Sequence, residues 1–245
     1  MRKAPRRGRA EGPAARHPRG RRPRNDRRHP GLRPRYRVTS PRARRSDVTD
    51  PIADIIGDYS AFAAQQRDRL LVRGIDITPY ALSHLAFRVP EWDEYLHVRT
   101  LLERHAVANR ENVWNGRPIS LIVPAEPLEA LDGKAVPLIE LIPPVHQRVY
   151  KMGLEHLGVV VGDTFDEFVG THKPVLTGQQ FQGPKSTPDP VYILFEDFTH
   201  VKFYRLSLRA SVELDGGPFG VGFHHADDWV PQRLVTATGP NPLPR

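Results

Sequence analysis

The chain has 245 residues, a net charge of +8 at pH 7 and no cysteine, which excludes disulfides, thiol nucleophiles and cysteine metal sites while leaving ample length for a core. Residues 1–46 hold eighteen Lys/Arg against only Glu11 and Asp26, a balance of +16, so the remaining 18 basic and 26 acidic residues leave the rest at −8. No apolar run approaches the ~20 residues of a membrane span and the N-terminus lacks the apolar region of a secretory signal, so a cytoplasmic protein without membrane contact is expected.

Residues 1–46 are rich in Arg and Pro and almost devoid of large apolar side chains. Such a segment cannot offset its chain entropy by burial and reads as a disordered basic tail. It could neutralise nucleic-acid phosphates, but Tyr36 alone does not make a base-stacking platform. A solvated extension, or a start site placed too far upstream, is therefore the preferred reading.

Order is expected from Asp47. Asp50-Pro51 is an N-cap followed by a proline suited to the first helical turn. Ile52, Ile55, Ile56, Tyr59, Phe62 and Leu70 then recur at helical spacing, predicting one helix to about Val72, ended by Gly74. Beyond a linker at Ile75–Pro79, Ala81–Val89 reads as a strand, and Pro90-Glu91 opens a helix carrying Trp92, Tyr95, Leu96, Leu101 and Leu102. Glu111–Leu121 reads as two strands about Asn115-Gly116, a strong hairpin signal, and Val136–Ile142 as a further strand. The second half repeats the order: strand Leu154–Val161, helix Asp163–Val169, then strands at Pro174–Gln182, Val191–Glu196 and His200–Leu206. Two βαβββ units are therefore expected at about 77–145 and 150–208, with 209–245 a largely irregular extension.

Strand side chains alternate between faces. Leu85, Phe87 and Val89 share one face of the first strand, leaving His84 and Arg88 on the other. The same parity puts Glu140, His156, Lys202 and Tyr204 opposite their apolar neighbours. A lone strand histidine is most often structural. Two at matching positions of a repeat, with a carboxylate in the expected strand, form a divalent-metal constellation. Lys202 at the fourth position leaves two readings open. Either His84, Glu140 and His156 form a three-residue face for a divalent Zn, Fe, Mn or Ni ion, with Lys202 or Tyr204 as acid/base and Arg88 and Arg117 binding a small anionic substrate; or Glu140–Lys202 is a buried ion pair in a non-catalytic binding module.

Other candidates are weaker. His224-His225 with Asp227-Asp228 lies in a Gly/Pro-rich stretch and reads as solvated, and His97 and His105 as helix-surface residues. The glycines at 216, 217, 220 and 222 do not lie between a strand and a helix, so they make no phosphate loop. No serine has the surroundings of a nucleophile elbow.

Four stretches carry a family resemblance: Ile77-Thr78-Pro79 through His84 to Arg88; Asn115-Gly116-Arg117-Pro118-Ile119; Glu140-Leu141 followed by Leu154-Glu155-His156; and Asp189-Pro190 through Val201-Lys202-Phe203. On these the chain resembles the YecM family, of the glyoxalase/bleomycin-resistance/dioxygenase (vicinal oxygen chelate) fold, over about residues 47–208. The resemblance implies an α+β fold of paired βαβββ modules forming a curved half-open barrel around a cavity, to which the helix read after Asp50-Pro51 adds an extra N-terminal element. It also implies a metal site at His84, Glu140 and His156. Lys202 stands where typical glyoxalase-like enzymes supply a carboxylate, as it does in YecM-like proteins.

Overall fold

The computed structural model describes residues 50–114, 116–144, 150–180 and 190–226; the basic tail at 1–46, with Tyr36, therefore lies outside the described residues. Asp50 Oδ1 accepts from the backbone N–H of Ile52 (3.0 Å) and Ala53 (3.3 Å) at the start of the first helix. Where a single helix to Val72 is expected, two form, α1 (Ala53–Ile56) and α2 (Tyr59–Leu71). Gly57 breaks them apart with φ +88° and ψ −176°, a conformation that only glycine adopts readily. Asp58 then caps α2 by accepting from Ala61 N–H at 2.8 Å. Helical spacing of the apolar residues persists across the break, which is why periodicity alone hides it.

The first module comprises β1 (Ala81–Arg88), α3 (Trp92–Glu103), β2 (Ala106–Trp114), β3 (Arg117–Pro124), the hairpin β4 (Leu128–Leu131) and β5 (Lys134–Val136), and β6 (Ile139–Ile142). Gly116, at φ +74°, makes the β2–β3 turn; Asn115 lies outside the described residues. The single strand expected over Val136–Ile142 is a correction: Val136 pairs with Leu128 in the separate hairpin, and pairing with the main sheet resumes only at Ile139. Pro137, which has no N–H to donate, stands at the break.

The second module comprises β7 (Gly153–Val160), a 3-10 turn at Gly162–Thr164, α4 (Phe165–His172), β8 (Gly178–Gln179), β9 (Val191–Leu194) and β10 (His200–Tyr204). The strand expected at Pro174–Gln182 is thus reduced to two residues, and its last two positions lie outside the described residues. Beyond β10 the chain is more regular than its composition implies, forming α5 (Leu208–Gly216) and β11 (Gly222–His224). Ser207 caps α5, accepting from Ala210 N–H at 3.1 Å. Residues 227–245, including Asp227 and Asp228, lie outside the described residues.

Among the described residues, nine strands form one open, curved sheet in the order β11-β2-β3-β6-β1-β7-β10-β9-β8. Each module places its first and last long strands side by side and parallel (β1 with β6, β7 with β10), and the modules meet where β1 runs antiparallel to β7. One sheet face is covered by helices. Leu85, Ile139, Leu141, Leu157, Val159, Val201 and Phe203 pack there with Phe62 and Leu70 of α2, Tyr95 and Leu102 of α3, and Phe165 and Phe168 of α4. The opposite face carries a smaller cluster, in which Ala86, Ile119, Leu121, Leu138 and Ile142 meet Leu208 of α5 and Phe219. Among the described residues no helix is long and apolar enough to cross a membrane.

Candidate metal centre

The register of the two parallel pairs shows how the duplicated unit places its polar residues. Glu140 lies opposite Ala86, two residues beyond His84. Lys202 lies opposite Gly158, two residues beyond His156. Glu140 and Lys202 therefore occupy equivalent places in the two modules. Across the antiparallel seam His84 lies opposite Gly158 and Ala86 opposite His156, so the two imidazoles stand diagonally on neighbouring strands.

Both histidines are fully buried, and their Nε2 atoms are 3.1 Å apart. Oε2 of Glu140 is 3.1 Å from His156 Nε2 and 3.6 Å from His84 Nε2. Two ligands each about 2.1 Å from one ion, at angles between octahedral and tetrahedral, stand roughly 3.0–3.4 Å apart. Two of the three separations, at 3.1 Å, fall in this range, and the third, 3.6 Å between His84 and Glu140, lies just above it, so the set suits a divalent cation with a small inward shift of Glu140 toward His84. Gly158 makes room for them: a Cβ there would lie 2.4 Å from His84 Cε1 and 2.5 Å from His84 Nδ1.

Burial pushes the His84 imidazole down to about 3, against the opposing pull of Glu140. Burial alone would raise the Glu140 carboxyl, but the hydrogen bond from His156 and the charges of His156, Lys202 and His84 outweigh it and hold it well below the carboxylate range. The metal-compatible protonation states, neutral imidazole and ionised carboxylate, are thus favoured for these two side chains.

The remaining expected residues divide. Tyr204 lies beside His84, ring centroids 5.3 Å apart, and burial raises its phenol well above the usual range. Lys202 is buried on the same face, where burial lowers its ammonium pKa and Glu140 and Glu155 partly restore it. No ion pair joins it to Glu140: among the described residues, the ion-pair partners of Glu140 are the two histidines. The buried Glu140–Lys202 pair is therefore not formed. Arg88 is committed elsewhere. Its Nε donates to Glu155 Oε2, its Nη2 to Glu155 Oε1 at 3.2 Å and its Nη1 to the Pro143 carbonyl at 3.2 Å. It is a partner of Glu155 rather than a free substrate-binding cation. Arg117 keeps a buried Nε without a hydrogen-bond partner, and burial, followed by the nearby charge of Arg88, lowers its pKa.

Three neighbours were not singled out in the sequence. Ser83 Oγ is 2.9 Å from His84 Nδ1 and accepts from Leu208 N–H at 2.8 Å. Glu155 Oε1 is 3.4 Å from His156 Nδ1. His200 stacks on His156, centroids 4.5 Å apart and planes 26° apart. Strand alternation sends Ser83 and Glu155 to the helix-covered face. The pairing of β1 with β7 skips a register at each of them, so each is a β-bulge residue, which no pattern of apolar residues announces. The parity of His200 with Lys202 was the available signal for the third.

A narrow cavity of about 20 Å³ reaches Glu140 between Ile119 and Leu121 of the sheet and Leu208 and Val212 of α5. It shares Asn112, Trp114, Leu208 and Val212 with a wider recess of about 280 Å³ that extends to Arg110 and Asp215. His225, expected to be solvated, instead lies 2.6 Å by Nε2 from Glu103 Oε1.

Residues 51–214 match the family model described as YecM protein. Comparison with the curated proteins gives no match. Among solved structures, a structural-genomics protein designated EC4020 is 24% identical, covering 66% of this chain and 92% of its own, with a TM-score of 0.54. A methylmalonyl-CoA epimerase from Mycobacterium tuberculosis is 14% identical over 51% of this chain and 86% of its own, at a TM-score of 0.33. The fosfomycin resistance protein FosX from Listeria monocytogenes, solved with Mn(II) and sulfate, is 12% identical over 54% and 95%, at 0.22. The likeness to EC4020 is one of fold.

Proposed function

We propose, for a chain that belongs to the YecM family and is built from paired βαβββ modules of the vicinal oxygen chelate kind, a metal-dependent cytoplasmic reaction on a small anionic, oxygenated substrate. The observation that carries the reading is the meeting of His84 Nε2, His156 Nε2 and Glu140 Oε2 on one sheet face. These three side chains would hold a divalent Zn, Fe, Mn or Ni ion, two imidazoles and a carboxylate suiting all four. When bound, such an ion polarises vicinal oxygens, which serves isomerisation, lyase chemistry or oxygenation.

The chain's own residues define the rest. Lys202 offers a buried ammonium with no ion-pair partner among the described residues, and Arg117 a guanidinium with an unsatisfied Nε. Both suit an anionic group on the substrate. Tyr204, buried and slow to ionise, keeps its proton and can donate a hydrogen bond or act as an acid beside His84. Metal analysis of protein purified without chelators tests the reading. About one ion per chain, lost in His84→Ala and His156→Ala, is expected; a sub-stoichiometric content that both variants leave unchanged would sink it.

One observation favours a second reading, a non-catalytic module that sequesters a small molecule. Lys202 occupies the equivalent of Glu140 in the second module, so the duplicated site offers a cation where a second carboxylate would complete it. Native mass spectrometry showing a retained organic ligand and no metal supports this reading over the first. Tethering to a polyanion through residues 1–46 is a separate proposal. It requires that their deletion weaken DNA affinity and flatten its salt dependence.

A further inference from the structure

His156 belongs to two groups of ligand-type atoms, one with His84 and Glu140 and the other with Glu155 and His200. The second group does not suit a second cation. Arg88 donates to both carboxylate oxygens of Glu155, so a guanidinium charge already stands there. Arg88 is in turn held by the Pro143 carbonyl and lies over the Tyr150 ring, 4.3 Å from its centroid. Glu155 is therefore a fixed acceptor. The nitrogen it faces is His156 Nδ1, at 3.4 Å, while His156 Nε2 faces Glu140 and His84, at 3.1 Å from each.

The backbone builds this arrangement deliberately in both modules. On β1 the pairing steps from Leu82–Val159 to His84–Gly158, leaving Ser83 as the extra residue. On β7 it steps from Ala86–His156 to Phe87–Leu154, leaving Glu155 as the extra residue. Each bulge immediately precedes a site histidine and swings its side chain onto that histidine's Nδ1. The two supports differ in kind. Ser83 is neutral and can donate or accept, whereas Glu155, ionised, can only accept.

We propose that Glu155, clamped by Arg88, is a positioning residue that keeps a proton on His156 Nδ1 and so leaves Nε2, the nitrogen that faces Glu140 and His84, as the one that would take a cation. Stacking of His200 on the His156 ring limits its rotation about that hydrogen bond. The consequence for metal affinity rests on the reading of the centre given above; the placement of the proton does not.

Glu155→Gln tests the assignment with little change of shape. Arg88 can only donate, so it holds the Gln carbonyl oxygen and leaves the amide NH2 to face His156 Nδ1. The variant therefore presents a donor where the wild type presents an acceptor. The readout is imidazole ¹⁵N NMR of the full-length, metal-free chain, with His156 assigned by His156→Ala. A protonated Nδ1 is expected in the wild type and an unprotonated Nδ1 in Glu155→Gln. A wild-type Nδ1 without its proton overturns the proposal, and that measurement needs no variant to fold. Titration with Zn(II) separates the two claims, since loss of such a support typically weakens metal binding about 10–100-fold. If the wild type binds Zn(II) and Glu155→Gln binds it within twofold as tightly, the positioning role fails while the metal reading stands. If neither binds Zn(II) but Nδ1 is protonated as expected, the metal reading fails and the positioning role stands.

Discussion

At the scale of single residues, Gly158 decides whether the centre can exist. It lies opposite His84 across the module seam, and its missing side chain is the space that the imidazole fills. The neighbours of His84 cannot yield freely, because the ring is fully buried and its Nδ1 meets Ser83, itself fixed by the start of α5. Gly158→Ala is expected to cost about 1–3 kcal/mol through overpacking and to displace His84 from the cluster, lowering metal affinity. Urea unfolding and metal titration of the same variant check both. If stability and affinity both stay at wild-type values, the ring is not wedged as described. His84, Glu140, His156 and Lys202 could be picked out in the sequence because alternation and the repeat are both local regularities. Ser83 and Glu155 could not, since a bulge reverses the face that alternation assigns.

At the scale of elements, breaks carry as much information as periodic runs. Gly57 separates α1 from α2 at a backbone conformation that costs a non-glycine residue about 1–3 kcal/mol. Gly170 lies within α4, has no positive φ and has open space around its Cβ position. Gly57→Ala should therefore destabilise the protein by that amount, whereas Gly170→Ala should be neutral or stabilise it by up to about 1 kcal/mol. Equal effects of the two substitutions on the chemical-denaturation midpoint would contradict the assignment. The segment after β10 makes the same point from the other side. Its composition argues for irregular chain, yet Leu208 and Phe219 are buried against the sheet. The last described residues are tied down by His225 on Glu103 and by Ala226 N–H donating to Glu111 Oε2 at 2.8 Å. Tertiary contacts, rather than propensity, order it.

At the scale of the whole molecule, buried neutral imidazoles couple the fold to pH. Burial lowers His84 to about 3 and His200 to about 2, against 6.5 for an exposed imidazole. Below pH 6.5 the unfolded chain takes up protons at both residues while the folded, metal-free chain does not. Stability is therefore complete above about pH 6.5 and is lost as pH falls toward the folded values, at up to about 1.4 kcal/mol per pH unit for each histidine. Glu155 and Asp197 are held at about 2 by their hydrogen bonds, despite burial, which opposes the shift. Below the ordinary carboxylate range they add to the loss. Urea midpoints of metal-free protein are expected to fall clearly between pH 7 and pH 5; a flat profile over that interval would show that these histidines are not buried and neutral.

What the amino-acid order determines by itself, apart from the Gly57 break, the β4–β5 hairpin and the elements after β10, is the succession of strands and helices, their duplication, and the side of each strand on which His84, Glu140, His156, Lys202 and Tyr204 stand. All of these follow from apolar periodicity and turn chemistry, which act between residues near in sequence. The tertiary structure alone decides that β1 and β7 meet antiparallel and set His84 and His156 side by side. It also commits Arg88 to Glu155, and leaves Lys202 without the partner that Glu140 could have been. The choice among partners for a buried charge depends on distances across strands far apart in the chain, and pattern along one strand carries no record of them.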